Sequence, residues 1–203
     1  MISASAHSPN LLHFLTTKAD DKVVDRIIEC VLDAVDYALN RSQPRRESFR
    51  HTRFTAFVKN VIKRTKAAMA VLLVTLVYVE RAKPHLEISD EEWASERIFL
   101  GALIVASKYV NDYSFRNTHW GISTGIFGKR DVERIEREFL AVLDWELRFD
   151  ETDVLIQYYP LAPNQVSPSS LLCIEPPKTA PVLSTQAFIA EPYYQTFPSD
   201  ISR

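Results

Sequence analysis

The stretch Ala67–Val79 constrains this chain more than any other feature. It is thirteen residues long and interrupted only by Thr75. A helix that is apolar nearly all round persists only where other elements surround it. A membrane span would need about 20 such residues. The stretch therefore reads as the buried central helix of a helical core, running from Lys66 to about Lys83, with Pro84 at its end and Thr65 placed to cap its start. The rest of the 203-residue chain must supply the helices that cover it.

Those helices are legible from spacing. Val23, Val24, Ile27, Ile28, Val31, Leu32, Val35, Ala38 and Leu39 form one apolar face, which predicts an N-terminal packing helix over 21–40. Asp20, Asp21 and Asp25 suit its start, and Asn40 its stop. A polar, basic linker, Arg41 to Arg53, follows, with Pro44 as a breaker. Phe54, Phe57, Val58, Val61 and Ile62 then mark a second helix. Ser89-Asp90-Glu91-Glu92 has the form of a capping box before a helix reaching about Asn111. A short aromatic segment, Tyr113 to Ile126, precedes a helix opened by Arg130-Asp131, with Ile135, Phe139, Leu140, Val142, Leu143 and Leu147 buried. A last short helix is expected over Asp150 to Tyr159. No strand pattern and no internal repeat is evident. The fold class is all-α, with five to six helices around one central helix. Residues 1–20 read as a flexible leader. Residues 160–203, punctuated by seven prolines after Pro160, read as a mostly irregular tail.

Composition removes several classes of function. A net charge of -2 provides no global field toward nucleic acid or membrane. Two cysteines, Cys30 and Cys173, stand far apart without a CxxC, which fits a reducing compartment. No signal-peptide pattern begins the sequence, so an intracellular location, nuclear and/or cytoplasmic, is expected. Five scattered histidines lack metal-ligand spacing. No GxGxxG, GxxxxGK or GxSxG motif occurs, and Asp90-Glu91-Glu92 suits a helix start. Neither a cofactor, a metal nor an enzymatic activity is expected. The stretch Arg41–Lys66 holds nine basic residues against the single acid Glu47. It could grip phosphorylated substrates. A solvated linker and helix face is the plainer reading, and Phe54 and Phe57, at helical spacing, are assigned to the core. His119-Trp120 is expected to pack the short aromatic segment, and Trp145 to pack in the core or at its edge.

One stretch carries a family resemblance. Phe99-Leu100-Gly101-Ala102-Leu103-Ile104-Val105-Ala106-Ser107-Lys108-Tyr109 resembles the cyclin box around its Ala-Ser-Lys core. Arg134-Ile135-Glu136-Arg137-Glu138-Phe139-Leu140 and Leu143-Asp144-Trp145-Glu146-Leu147 resemble a later helix of that box. The intervening Asn111-Asp112, then Asn117-Thr118-His119-Trp120, is similar to the fungal PCL-type cyclins, partners of a multifunctional cyclin-dependent kinase. Arg64-Thr65-Lys66 and Tyr78-Val79-Glu80-Arg81-Ala82 are similar to the same group.

The resemblance implies a single cyclin box of about five helices over 50–159, with the 21–40 helix added. It also implies a regulatory subunit that binds and activates a cyclin-dependent protein serine/threonine kinase and helps set its substrate choice. Lys108 and Glu136 match the family's kinase anchors. Both suit their helix positions, Lys108 near a C-terminus and Glu136 in early turns. Tyr109, Asn111, Lys59, Lys63 and Arg64 are lesser candidates around the contact face, and Asp112 is expected to cap a helix end. A pairing of Lys108 with Glu136 that only braces the fold is the plainer alternative. The sequence departs from mitotic cyclins in lacking a second helical repeat and an evident destruction box. Thr55-Ala56-Phe57-Val58-Lys59 replaces their Met-Arg-Ala-Ile-Leu docking patch. A cyclin-fold scaffold or transcription-related module without kinase activation is the other reading.

Overall fold

In the computed structural model of the chain, which describes residues 20–41, 48–89, 92–158 and 161, the apolar periodicities fold as helices. They are α1 (Asp21–Ala38), α2 (Ser48–Thr65), α3 (Met69–Ala82), α4 (Ala94–Val110), α5 (Asn117–Thr124), α6 (Lys129–Val142) and α7 (Glu151–Tyr158), with a 3₁₀ turn at Lys83–His85. The expected leader as far as residue 19, the tail from 162, Pro44, Pro160, Cys173, Asp90 and Glu91 lie outside the described residues.

Helix α3 is enclosed as its sequence requires. From Met69 to Val79 only Ala70 escapes full burial, and the Thr75 hydroxyl satisfies itself on the Val71 carbonyl at 2.7 Å. Helix α4 packs along it, α6 packs on α4, and α1 lies across both α3 and α4. Helix α4 is itself buried from Ala94 to Ser107, apart from Ser95. Each large aliphatic or aromatic side chain so enclosed contributes about 1.5–3 kcal/mol. The α4–α6 contact depends on Gly101: a Cβ there would sit 2.7 Å from the Phe139 Cβ, which is fixed to its own backbone. Phe54 and Phe57 of α2 enter the core edge-on against Phe99, with ring centroids 6.2 and 6.1 Å from it.

Several boundaries differ from those expected, each for a local reason. Helix α2 starts at Ser48, so the second half of the expected linker is helical. Arg53 secures this end: its Nε donates to Glu96 at 3.0 Å and its guanidinium lies 4.2 Å over the Trp93 ring. Thr65 does not cap α3. It ends α2, donating to the Val61 and Ile62 carbonyls at 2.8 and 3.4 Å, and Lys66 breaks the helix with φ 49°. The capping box at Ser89 is not used, because α4 begins at Ala94 after a turn, with Trp93 in the capping place. At the other end Asn111, rather than Asp112, closes α4 by donating its carboxamide to the Ser107 carbonyl at 3.0 Å.

The aromatic segment contains α5. This helix stops at Gly125, whose φ of 72° favours glycine. Helix α6 starts one residue early, at Lys129, where the Asp131 carboxylate accepts from the Gly128 amide at 2.9 Å. Leu140 and Leu147 are half-buried rather than buried. Trp120 is buried as expected, while His119 stays exposed with its ring 6.1 Å from Phe115. Asn40 does end α1. It takes φ 51°, its amide donates to Tyr37 and the Arg41 amide donates to Asp36. Asp150 and Asp153 cap α7 reciprocally at 3.0 and 2.9 Å.

The core also encloses a carboxyl group. Glu96 is only 2% exposed, and burial pushes its carboxyl above the ordinary 4.5 although Arg53 opposes the shift. The folded chain therefore holds this proton to higher pH than the unfolded chain does. Across the interval from 4.5 up to the raised value the folded state binds more protons, so this group's contribution to stability falls as pH rises. Glu96→Gln cannot ionise and loses that slope. The melting temperature of the variant relative to wild type is expected to rise with pH through this interval. A relative decline would mean that the Arg53 pairing outweighs burial.

Candidate functional site

Three helices meet at one polar cluster. The last turn of α4 carries Lys108, the first residue of α5 is Asn117, and Glu136 lies midway along α6. Because α6 begins at Lys129, Glu136 is in its interior and not in the early turns expected. The Lys108 Nζ donates to both Glu136 carboxylate oxygens, at 2.6 and 2.7 Å, and to the Asn117 Oδ1 at 2.8 Å. The Asn117 Nδ2 donates in turn to Glu136 Oε2 at 2.8 Å. The cluster is a closed triangle of charge-assisted bonds.

The sequence position of each group explains the geometry. Ser107 is the last buried residue of α4, so Lys108 is the first side chain able to leave the core. The α4–α5 connection returns the chain so that Asn117 begins α5 beside it, and Trp120, one turn later, anchors α5 in the core. The side chains of Lys108 and Glu136 are 32% and 17% exposed, so the pair is half-buried. The three ammonium donors of Lys108 face three acceptors. The Glu136 carboxylate keeps lone-pair capacity beyond the three bonds it receives. A cleft of about 310 Å³, bordered by Asn117, Glu133, Glu136, Arg137 and Leu140, opens beside it.

The other expected residues divide into groups. Tyr109 is 48% exposed and rests on Phe149, ring centroids 5.6 Å apart, next to the cluster. Asn111 is exposed but its amide is used to close α4. Arg64 ties the end of α5, its Nη1 donating to the Ile122 carbonyl at 3.1 Å and lying 3.5 Å from that of Ser123. Lys59 and Lys63 are exposed on α2, and no contact among the described residues joins them to the cluster.

Two residues were not singled out by the sequence. Asn117 stands in the quoted signature, but a first-turn asparagine gives no spacing signal of its own. Trp145, expected in the core or at its edge, is 64% exposed. The end of α6 explains this. The Asp144 amide donates to Ala141 and the Trp145 amide to Leu140, both at 3.0 Å, in a Schellman closure. The closure holds Asp144 and Trp145 at φ 49° and 59°, unfavourable for residues other than glycine. Among the described residues no group of histidine, cysteine and carboxylate side chains could hold a metal ion, and no helix is long and apolar enough to cross a membrane.

The family described as "Cyclin, N-terminal domain" matches residues 28–148, from within α1 to just past the turn that carries Trp145. The chain belongs to the cyclin family. Among its curated relatives, PHO85 cyclin-9 of Saccharomyces cerevisiae is 36% identical over 102 residues, covering 49% of this chain and 34% of that protein. PHO85 cyclin-2 of the same yeast is 35% identical over 104 residues, 50% of this chain and 34% of that one. PHO85 cyclin-1 is 32% identical over 108 residues, 52% of this chain and 39% of that one. The matched part thus spans about a third of the length of these relatives. No solved structure is significantly similar to the chain.

In this cyclin the triangle predicts coupling that a pair of independent surface charges would lack. Lys108→Ala and Glu136→Ala should each lower stability, and the double variant should cost less than their sum by about 1 kcal/mol. Urea unfolding of the four proteins measures this. Strict additivity would mean that the pair contributes nothing to the fold.

Proposed function

We propose that this cyclin is a regulatory subunit that binds and activates a cyclin-dependent serine/threonine kinase of the PHO85 kind and helps set its substrate choice. The observation that carries the reading is the Lys108–Asn117–Glu136 triangle, in a chain of the cyclin family that also exposes the rings of Tyr109 and Trp145. The names of its yeast relatives support the choice of partner. The site of action is intracellular, where such a kinase resides.

The mechanism follows from what a rigid surface can do. The kinase supplies the phosphoryl-transfer chemistry, ATP and magnesium. The cyclin must favour the active arrangement of the kinase over the inactive one. Carrying a kinase from about 1% to 99% active takes roughly 10⁴-fold tighter binding to the active state. Such a difference needs concentrated contacts that do not rearrange. The triangle supplies fixed polar groups at three helix sites, two of them charged, and Glu136 retains acceptor capacity for a partner's amide or cation. Tyr109, at the end of α4, and Trp145, past the end of α6, add exposed aromatic side chains. Asn111 and Arg64 act one step back, by holding the ends of α4 and α5 that set the face.

The test separates contact from bracing. Lys108→Glu and Glu136→Lys are each expected to weaken capture of a fungal PCL-binding kinase, and its activation toward a peptide substrate, by at least tenfold. The double exchange can rebuild the ion pair with its sense reversed. It should fold like wild type by circular dichroism yet remain deficient in kinase binding. Recovery of binding by the exchange would make the pair a brace and move the contact elsewhere. Failure of wild type to bind any such kinase would favour the scaffold reading.

A further inference from the structure

A second concave surface lies where Asn111 closes α4, and neither Lys108, Asn117 nor Glu136 borders it. It is a groove of about 370 Å³ between the α2–α3 junction and the α4–α5 connection. Ala68, Val71 and the buried Trp120 line it with apolar surface. Phe115, 43% exposed and edge-on to Trp120 at 5.9 Å, and Tyr113, 96% exposed, are on its α4–α5 side. An aromatic exposed this fully is unusual on a solvated loop and typical of a recognition surface. The volume is at the lower end for ligand sites and suits one or two side chains.

The charge beside the groove is one-sided. Lys66 lines it. Lys66 follows the end of α2, and Lys63 and Lys59 precede it on that helix, four residues apart and on one face. All three are exposed, and none has a carboxylate partner among the described residues. The sequence from Ser48 to Val79 contains no acid at all. Asp112 is the one acid of the 111–116 connection, and it is exposed without lining the groove.

We infer that this groove docks an extended acidic segment of a partner protein, with an apolar side chain seated against Phe115 and Trp120 and carboxylates running along Lys66, Lys63 and Lys59. The arrangement favours a run of carboxylates over a single phosphate. Phosphate sites gather several donors on one point, usually with arginine forks. Here the lysines are spread along the chain rather than gathered on one point, Lys59 and Lys63 about 6 Å apart at 1.5 Å per helical residue. An extended peptide advances at about 3.3 Å per residue, so two alternate acids of such a segment match the spacing of Lys59 and Lys63. With Lys59 and Lys63 reassigned to this surface, Asn111, which closes α4 and also lines the groove, is the one residue shared with the kinase reading. The inference holds whether or not that kinase reading stands.

Fluorescence anisotropy on the full chain tests it. The probe is a labelled twelve-residue peptide of glutamates and aspartates around one central leucine. Controls replace the leucine with serine, or replace all acids with glutamine and add one phosphoserine. Wild type should bind the probe saturably, about tenfold tighter than the serine control, and lose affinity on raising salt from 50 to 200 mM. Phe115→Ser should weaken binding about tenfold and Lys66→Glu about fivefold at low salt. Both variants should keep the melting temperature and kinase capture of wild type. Equal binding of the leucine and serine peptides, or no effect of either variant, would overturn the groove. Tighter binding of the phosphopeptide would overturn the acidic run in favour of a phosphate. Absence of saturable binding would overturn the docking role altogether.

Discussion

A helix without a polar face cannot meet water on any side, and α3 therefore dictates where its neighbours go. Its burial from Met69 to Val79 requires cover from α1, α4 and α7 at once. Helix α4 must then be buried in its own right, with Gly101 allowing α6 to close over it. Two successive layers of enclosed helix leave few places where charge can emerge. Lys108 is at the first such place on α4, and the partners that meet it, Asn117 and Glu136, come from the two helices that follow.

This dependence explains why a half-buried ion pair can serve as a contact surface. An exposed lysine and glutamate would lose side-chain entropy on binding and contribute little. Lys108 and Glu136 are already held by each other and by Asn117, so little ordering remains to be done when a partner arrives. The strained turn at Asp144 and Trp145 belongs to the same arrangement. Its positive φ angles cost about 1–2 kcal/mol each, and the indole it presents stays 64% exposed.

Much of this was legible from residue spacing. Helices α1, α3, α4 and α6 follow from apolar periodicity because burial is a property of the whole helix face. The boundaries were less legible where a single distant contact sets them. The start of α2 depends on Arg53 reaching Glu96, forty-three residues away. Thr65 had the chemistry of a cap, yet its hydroxyl turned back into α2 because Lys66 leaves the helix in the next position. Lys108 and Glu136 were visible through their motifs. Asn117 was hidden because its role comes from the tertiary return of the α4–α5 connection. Trp145 was read as core or edge on hydrophobicity, and only the Schellman closure of α6 reveals that it points outward.

Amide hydrogen exchange, compared with and without a fungal PCL-binding kinase, tests the central claim most directly. The account predicts slowed exchange at the end of α4 (106–110), the start of α5 (117–120) and the second half of α6 with its closing turn (136–147). It predicts no change along the exposed face of α2 from Lys59 to Lys63. Protection on α2 with none around Lys108 and Glu136 would contradict it and put the kinase on a different face of the helical box.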